Sequence, residues 1–119
     1  MTRVLLVEDD PTVRAVIGML LETEPDFELV GVTGSAEEGV ELVSSLGPDL
    51  VLLDNQLEGA LTGLEAAPQM KAAHASTVVL LCTALDMQER AEREPAVDGY
   101  LRKEQLVDLV DVVRVLLSR

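Results

Sequence analysis

Short apolar runs alternate with stretches of helical periodicity along the whole chain. Residues 4–7 form a continuous apolar run, which is typical of a strand buried on both faces of a parallel sheet. Asp10 and Pro11 follow, and these residue types favour a helix N-cap and the first helical position. The apolar residues after them recur three or four positions apart and predict one buried helix face: Val13, Val16, Ile17, Leu20 and Leu21.

The alternation of apolar run and helical stretch then repeats to the end of the chain. The further predicted strands are residues 27–32, 50–53, 78–82 and 99–102. Ser35 and Glu38 have the spacing of a capping box for the second helix, and Asp86 is expected to cap the fourth. Pro68 is expected to shift the start of the third helix or to kink it, and Pro95 to end the fourth early. The last helix is predicted to bury one apolar face: Leu106, Leu109, Val110, Val113 and Leu117.

Strands that alternate with helices in this way predict an α/β fold, with a doubly wound five-stranded parallel sheet covered on both faces. The 119 residues have room for one domain, which is predicted to span residues 1–119. In such folds, binding sites lie beyond the carboxyl ends of the strands, where the strand order reverses. The residues that follow the predicted strands are therefore the candidates for a functional site.

Composition and charge limit the classes of function. Aromatic residues make up only 2% of the chain, so the predicted core is built from Val, Leu and Ala. A formal net charge of -13 repels nucleic-acid phosphates and anionic membrane surfaces. No apolar run approaches the roughly 20 residues of a membrane helix, and the first residues fit no signal peptide. The single cysteine, Cys82, suits a reducing compartment. We therefore expect a cytoplasmic protein that binds neither nucleic acid nor membrane directly.

Polar residues follow the predicted strands at the edge where a site is expected. Glu8 and Asp9 come after the first strand, Asp54 after the third, Thr83 after the fourth and Lys103 after the fifth. Each taken alone has an ordinary interpretation as a helix cap, a solvated turn residue, a structural threonine or a surface lysine. Together, at the carboxyl ends of strands in one parallel sheet, they are expected to converge in a single crevice.

The three acids of this set predict a metal site. Gathered carboxylates repel one another unless they are protonated or bind a cation. Oxygen ligands favour a hard ion, so Glu8, Asp9 and Asp54 are predicted to hold Mg²⁺. A backbone carbonyl in the loop after Asp54 is expected as a further ligand, and we assign it to Gln56. An aspartate carboxylate is a competent nucleophile towards phosphorus. Phosphoryl transfer requires groups that neutralise the phosphoryl oxygens, for which the Lys103 ammonium and a hydroxyl are suited.

At these residues the sequence resembles the response regulator receiver family of two-component signalling, of the CheY-like type. The resemblance covers nearly the whole chain, and four segments in order carry it: residues 4–14, 47–54, 78–84 and 97–103. It implies a flavodoxin-like three-layer sandwich with the strand order 2-1-3-4-5. It also implies that Asp54 is the phosphoacceptor, with Glu8 and Asp9 as the acidic pair. The phosphoryl group would come from a sensor histidine kinase or a phosphotransfer protein, and slow self-dephosphorylation would remove it.

The resemblance further implies a conformational switch. Thr83 and Lys103 would contact the phosphoryl group, and Tyr100 would match the aromatic residue that turns inward when Thr83 moves. The surface of the fourth helix, fifth strand and fifth helix would then bind a downstream effector or output domain, or form a homodimer. The implied role is signalling, without enzymatic turnover of a separate substrate.

The sequence departs from the family pattern near the expected site. The loop after Asp54 lacks the usual proline and is longer than usual before Gly63, so an unusual turn into the third helix is expected. The stretch before the fifth strand is shorter than usual, which predicts a stunted fourth helix. Glu104 stands where relatives often have proline. Leu85 is apolar where many relatives place a polar group near the attacking water, which predicts slow dephosphorylation.

Two other functions are compatible with the same residue types. A Mg²⁺-dependent phosphatase or phosphotransferase for small molecules would use the same acids, but it normally needs a lid or cap domain, for which 119 residues leave no room. A pseudo-receiver would keep the fold as an interaction module that acts without phosphorylation. The intact acids, threonine and lysine argue against that second alternative.

Overall fold

The computed structural model describes all 119 residues, in which strands and helices alternate. The elements are β1 (Thr2–Val7), α1 (Pro11–Glu22), β2 (Phe27–Thr33), α2 (Ala36–Leu46), β3 (Leu50–Leu53), α3 (Gly63–Ala73), β4 (Val78–Thr83), α4 (Gln88–Arg93), β5 (Gly99–Arg102) and α5 (Leu109–Leu117), with a 3-10 turn at Lys103–Asp108 before α5. All strand pairs are parallel, in the order β2-β1-β3-β4-β5. The predicted fold class and strand order are therefore confirmed.

The sheet separates two apolar cores, because successive side chains of a strand point to opposite faces. Val4 and Leu6 of β1 belong to the core covered by α1 and α5. Leu5 and Val7 belong to the core covered by α2, α3 and α4. β1, β3 and β4 lie in the interior of the sheet and are buried on both faces, which is why they read in the sequence as continuous apolar runs.

The predicted helix caps are confirmed in part. The Asp10 carboxylate accepts hydrogen bonds from two amides in the first turn of α1, as predicted. The Ser35 hydroxyl accepts a bond from the Glu38 amide at the start of α2. The return bond of the predicted capping box is replaced, because the Ser35 amide donates to the Thr33 hydroxyl. The second helix is therefore capped by one side chain rather than by a reciprocal pair.

The third helix begins with a complete capping box that was not predicted from the sequence. The Thr62 hydroxyl accepts a bond from the Glu65 amide, and the Glu65 carboxylate accepts one from the Thr62 amide. Pro68 lies inside α3, so the alternative in which it shifts the start of the helix is wrong. Its missing amide leaves the carbonyl of Leu64 without its intrahelical partner. The capping box therefore determines where this helix begins.

The fourth helix is as short as predicted, but its predicted cap is wrong. The helix covers Gln88–Arg93 and ends before Pro95. Met87, rather than Asp86, holds the N-cap position, and no side chain bonds to the first turn. The Met87 side chain is buried, so packing against the core determines where this helix begins.

The predicted apolar faces of the first and last helices are confirmed apart from one position in each. Val16 is 40% exposed, and Ile17 and Leu21 are the buried positions of α1. In α5 the buried residues include Leu116, next to the predicted Leu117. No helix combines the length and the apolar composition that crossing a bilayer requires.

Candidate functional site

Two carboxylates stand side by side at the carboxyl edge of the sheet. Glu8 follows β1 and Asp54 follows β3, and the hydrogen-bond ladder continues one residue beyond each strand. The Glu8 amide donates to the Thr33 carbonyl at 2.8 Å, and the Asp54 amide donates to the Val7 carbonyl at 3.0 Å. Because β1 and β3 are neighbours, this ladder fixes the two acids next to each other.

Lys103 follows the edge strand β5, and its side chain reaches both acids. Its Nζ lies 2.9 Å from Asp54 Oδ2 and 2.8 Å from Glu8 Oε1. The Glu8 and Asp54 side chains are only 2% and 4% exposed. Buried charges are tolerated when they are paired and hydrogen-bonded, so the ammonium is the group that permits these carboxylates to lie inside the protein. Two carboxylates share one cation, and the cluster keeps a net negative charge.

The pKa values of two members of the cluster are raised, for different reasons. Burial raises the pKa of the Glu8 carboxyl, with a contribution in the same direction from the charge of Asp54, against the lowering effect of hydrogen bonds from Lys103 and the Asp10 amide. Burial acts to lower the pKa of Lys103, but its bonds to Glu8 and Asp54 outweigh that effect and raise it. Lys103 is therefore a permanent cation, whereas Glu8 is a carboxylate in an environment that a further positive charge would improve.

Asp9 completes a set of three carboxylates. One oxygen from each of Glu8, Asp9 and Asp54 lies within 4.8 Å of the others. Asp10 takes no part, because its carboxylate caps α1. A compact set of carboxylate oxygens suits a hard divalent ion, and Mg²⁺ is bound by such groups together with waters. The acids that the sequence singled out are therefore brought together in a form that could bind a metal ion.

A cavity of about 680 Å³ opens above the acids. Its lining includes Asp9, Asp54 and Lys103, together with Gln56 and Leu85 from the loops on either side. This volume is within the usual range of ligand-binding pockets.

Thr83 and Tyr100 make no hydrogen bond to the acids. Thr83 is fully buried, and its hydroxyl accepts a bond from the Leu85 amide at 3.3 Å. The Tyr100 hydroxyl donates to the Leu85 carbonyl at 2.7 Å and accepts from the Met87 amide at 3.0 Å. Both side chains therefore bind the same short segment, the loop between β4 and α4.

The loop between β3 and α3, residues 55–62, is closed at its base. The Gly63 amide donates to the Asn55 carbonyl, and the Leu64 amide donates to the Asn55 side chain, both at 3.0 Å. The Asn55 amide also donates to Asp54 Oδ1 at 2.7 Å. A Cβ at Gly63 would lie 1.9 Å from the Asp54 carbonyl oxygen, so only glycine fits there. The base of the loop and Asp54 thus form one packed unit.

Three residues that shape the site were not predicted to do so from the sequence. Asn55 and Gly63 close the loop, and the Glu37 carboxylate contacts its far side through the Leu61 amide. Their importance comes from contacts across the loop, and only the position of Asn55 beside Asp54 gave a signal. The buried Cys82 takes no part, because burial raises the pKa of its thiol to about 12 and keeps it protonated.

Residues 4–114 match the response regulator receiver domain family. The chain therefore belongs to this family, and the predicted resemblance is confirmed. The match extends from β1 into α5 and includes every acid of the cluster together with Lys103. It identifies the chain as a receiver domain of the two-component type, a signalling domain rather than a catalytic enzyme.

Curated relatives include a response regulator and a transcriptional regulatory protein. The nitrate/nitrite response regulator protein NarL of Escherichia coli (strain K12) is 32% identical over 103 residues, which cover 85% of this chain and 47% of NarL. The transcriptional regulatory protein LiaR of Bacillus subtilis (strain 168) is 41% identical over 70 residues, which cover 59% of this chain and 33% of LiaR. The chain thus spans about half the length, or less, of the relatives that it matches.

Solved structures share the fold. A two-component response regulator of the LuxR family from Aurantimonas sp. SI85-9A1 aligns with a TM-score of 0.89 and 28% identity, over 99% of this chain and 86% of that one. The response regulator domain of Thermotoga maritima CheB aligns with a TM-score of 0.89 and 24% identity, over 100% and 98% of the two chains. The second likeness concerns the fold alone.

Proposed function

We propose that the chain accepts a phosphoryl group on Asp54 and acts as the receiver of a two-component phosphorelay. The observation that carries this proposal is the Lys103 Nζ contact with Asp54 and Glu8, at 2.9 and 2.8 Å. It supports the proposal because phosphoryl transfer depends on a positioned nucleophile and on charges that neutralise the phosphoryl oxygens. The cavity above Asp54 gives a donor access to its carboxylate.

The donor is a phosphohistidine of a sensor histidine kinase or of a phosphotransfer protein. An oxygen of Asp54 forms a bond to phosphorus while the bond between phosphorus and the imidazole nitrogen breaks, and the nitrogen keeps the electron pair. Asp54 Oδ1 accepts a bond from the Asn55 amide, and Oδ2 accepts one from Lys103, so the carboxylate has a fixed orientation before the donor arrives. Lys103 also offers its charge to a phosphoryl oxygen once the bond has formed.

Mg²⁺ is the proposed cofactor. Glu8, Asp9 and Asp54 would hold it, with the backbone carbonyl of Gln56 as a further ligand. The three carboxylate oxygens within 4.8 Å support this assignment, as does the raised pKa of Glu8, because a further cation stabilises a buried carboxylate. When bound, the ion offsets the negative charge of the acids and of the phosphoryl oxygens.

Thr83 and Tyr100 are proposed to transmit phosphorylation to the surface formed by α4, β5 and α5. Both side chains hydrogen-bond to Leu85, one to its amide and one to its carbonyl. A shift of the Thr83 hydroxyl towards a phosphoryl group on Asp54 would withdraw the acceptor of that amide. The loop that Tyr100 holds would then rearrange, and the surface would change its affinity for a partner.

The partner is proposed to be a downstream effector, an output domain or a second copy of the chain. LiaR carries the name transcriptional regulatory protein, which favours an output in gene regulation. The net charge of -13 opposes direct contact of this domain with nucleic acid, so the output would act through another domain or protein. We propose the cytoplasm as the location, where kinase and receiver meet.

Incubation with acetyl phosphate and Mg²⁺, followed by intact mass spectrometry, tests the proposed function. We expect one phosphoryl group per chain and none in Asp54→Asn, which keeps the size of the side chain but loses the nucleophile. Asp10→Asn is the matched control, because asparagine caps a helix as well as aspartate does, and it should label like the wild type. Labelling of Asp54→Asn at wild-type stoichiometry would contradict the assignment. A wild-type chain that neither labels nor binds Mg²⁺ would indicate a phosphorylation-independent interaction module.

A further inference from the structure

The loop that forms one wall of the cavity, residues 55–62, is fastened to the corner between β2 and α2. The Glu58 amide donates to the Gly34 carbonyl at 3.0 Å. The Leu61 amide donates to Glu37 Oε1 at 2.9 Å. Glu37 lies in the first turn of α2, so its backbone belongs to a rigid element. The outer part of the loop is therefore attached to a different part of the fold from its base.

The Glu37 side chain is itself fixed in place. The Ser35 hydroxyl donates to Glu37 Oε2 at 3.1 Å. Glu37's own amide and the Leu61 amide lower the pKa of the Glu37 carboxyl, so it is anionic at neutral pH. Gly59 has a φ of +89° and approaches so closely that a Cβ there would lie 2.9 Å from Glu37 Oε2. The left-handed turn of the loop and the carboxylate are thus fitted to each other.

The outer part of the loop has few other contacts. Between Gln56 and Leu61, the loop backbone bonds to Gly34 and Glu37, and Glu58 forms an isolated parallel bridge with Ser35. Gln56, Glu58, Gly59 and Ala60 are exposed, whereas Leu57 and Leu61 are half-buried and pack against the core covered by α2, α3 and α4. A segment without such contacts loses conformational freedom when it binds a ligand, and that loss weakens binding.

We propose that Glu37 is a positioning residue for the cation site, through its hold on the loop that carries the Gln56 carbonyl. This role rests on the proposed function, because that carbonyl is a proposed ligand of the ion. Glu37 is not one of the three clustered carboxylates, and its carboxylate bonds to the Leu61 amide of the loop and to the Ser35 hydroxyl. Glu37 orders the loop before the ion binds, so the free energy of binding is not reduced by the entropy lost in ordering the loop.

Four chains test this role: the wild type, Glu37→Ala, Glu37→Gln and Glu38→Ala. Mg²⁺ affinity is measured by isothermal titration calorimetry, at a temperature where all four are folded. Glu37→Ala should weaken the affinity about three- to tenfold, which corresponds to the net contribution of one typical hydrogen bond. Glu38→Ala is the matched control, because it removes the same charge from the same helical turn and its carboxylate makes no bond to the loop. It should bind like the wild type.

The glutamine variant separates the hydrogen bond from the charge. Glu37→Gln loses the charge but keeps an oxygen that can accept from the Leu61 amide, so it should recover most of the affinity. Amide exchange at Leu61, followed by nuclear magnetic resonance, should accelerate in Glu37→Ala and stay slow in Glu38→Ala. These readouts differ from global stability, which a purely structural residue would change without altering Mg²⁺ affinity in the folded protein.

Several outcomes overturn the positioning role. If the wild type and Glu37→Ala bind Mg²⁺ equally well and the wild type is still labelled, the positioning role is wrong and the proposed function stands. A Glu37→Gln chain as weak as Glu37→Ala, or an equally weak Glu38→Ala chain, would assign the effect to charge instead. A wild-type chain that binds no Mg²⁺ would overturn the proposed function, and this role with it.

Discussion

The two loops beside Asp54 are held in different ways. The loop after β3, which we call the anchored loop (residues 55–62), is closed by Asn55, fastened by Glu37 and followed by a capped helix. The loop after β4, which we call the switch loop (residues 84–87), is held by two hydroxyls and leads into a six-residue helix without a side-chain cap. The bonds that hold the anchored loop come from Asn55 and Glu37, and neither residue is proposed to move on phosphorylation.

In the switch loop the shorter bonds come from Thr83 and Tyr100, the two residues proposed to move, and a longer one of 3.4 Å runs from Arg102 to the Ala84 carbonyl. A loop can respond to phosphorylation only if its bonds can be exchanged for others, so the weakly capped α4 suits that task. The anchored loop presents a proposed metal ligand, for which a single conformation is an advantage. One wall of the cavity is therefore held in a single conformation, whereas the other wall can rearrange.

The largest effect is expected from Gly63→Ala, which breaks the base of the anchored loop. The new Cβ would lie 1.9 Å from the Asp54 carbonyl oxygen, so the backbone at residue 63 and the backbone of Asp54 and Asn55 would have to move apart. The free energy of unfolding should fall by about 3 kcal/mol or more, as measured by chemical denaturation. Gly18→Ala is the control, because it adds a Cβ with nothing within 4 Å in a helix and should stabilise by about 0.5–1 kcal/mol. A Gly63→Ala chain of wild-type stability would show that the base is not rigid.

The next effect concerns chemistry at the switch loop. Leu85 is 41% exposed and lines the cavity together with Asp54 and Lys103, so it offers an attacking water no polar partner. Leu85→Glu should shorten the phosphoryl half-life roughly tenfold, because a carboxylate there can orient the water. The decay of the labelled mass after removal of acetyl phosphate measures this half-life, with Leu85→Met as the apolar control. An unchanged half-life in Leu85→Glu would remove the reason for expecting slow dephosphorylation.

A smaller effect is expected from Tyr100→Phe, which keeps the ring and removes the hydroxyl. The Met87 amide loses its acceptor and the Leu85 carbonyl loses a donor. The free energy of local opening at the Met87 amide should fall by about 1 kcal/mol, as measured by native-state hydrogen exchange. Exchange at Leu61, in the anchored loop, should not change. Equal acceleration in both loops would mean that they open together and that the contrast between them is false.

The smallest effect is a pH dependence of the cap that follows the anchored loop. Bonds from the Thr62 amide and hydroxyl lower the pKa of Glu65. A lowered folded-state pKa contributes stability that is fully present above the ordinary value of 4.5 and is lost as pH falls through the lowered value. Glu65→Gln removes the titrating group and keeps an acceptor oxygen. Thermal unfolding should show a difference from the wild type at neutral pH that disappears on acidification; a difference independent of pH would contradict this account.

The sheet and its functional edge could be predicted because their signals are local. Residues 50–53 form a continuous apolar run, and the structure buries them on both faces. Parallel strands end at one edge, so Asp54 and Lys103 could be expected to meet although 49 positions separate them. The chemical roles of these residues stay predictions until phosphorylation and metal binding are measured.

The loop contacts could not be predicted, because they depend on long-range packing. Asp86 has the residue type of a cap, but the burial of Met87 in the core fixes the start of α4 instead. Glu37 looks in the sequence like any acid in the first turn of a helix, where the macrodipole favours negative charge. Its bond to Leu61 depends on the path of a loop that turns at Gly59, and neither residue type nor spacing reveals that path.

The position of Lys103 after the last strand also sets an order of events on the ribosome. The strands that precede Glu8 and Asp54 are synthesised first, so both carboxylates leave the exit tunnel well before the ammonium that pairs with them. Without that ammonium, burying them is costly. The nascent domain therefore cannot pair its buried acids until Lys103 has been translated, and a chain arrested before residue 103 leaves Glu8 and Asp54 without this counter-ion.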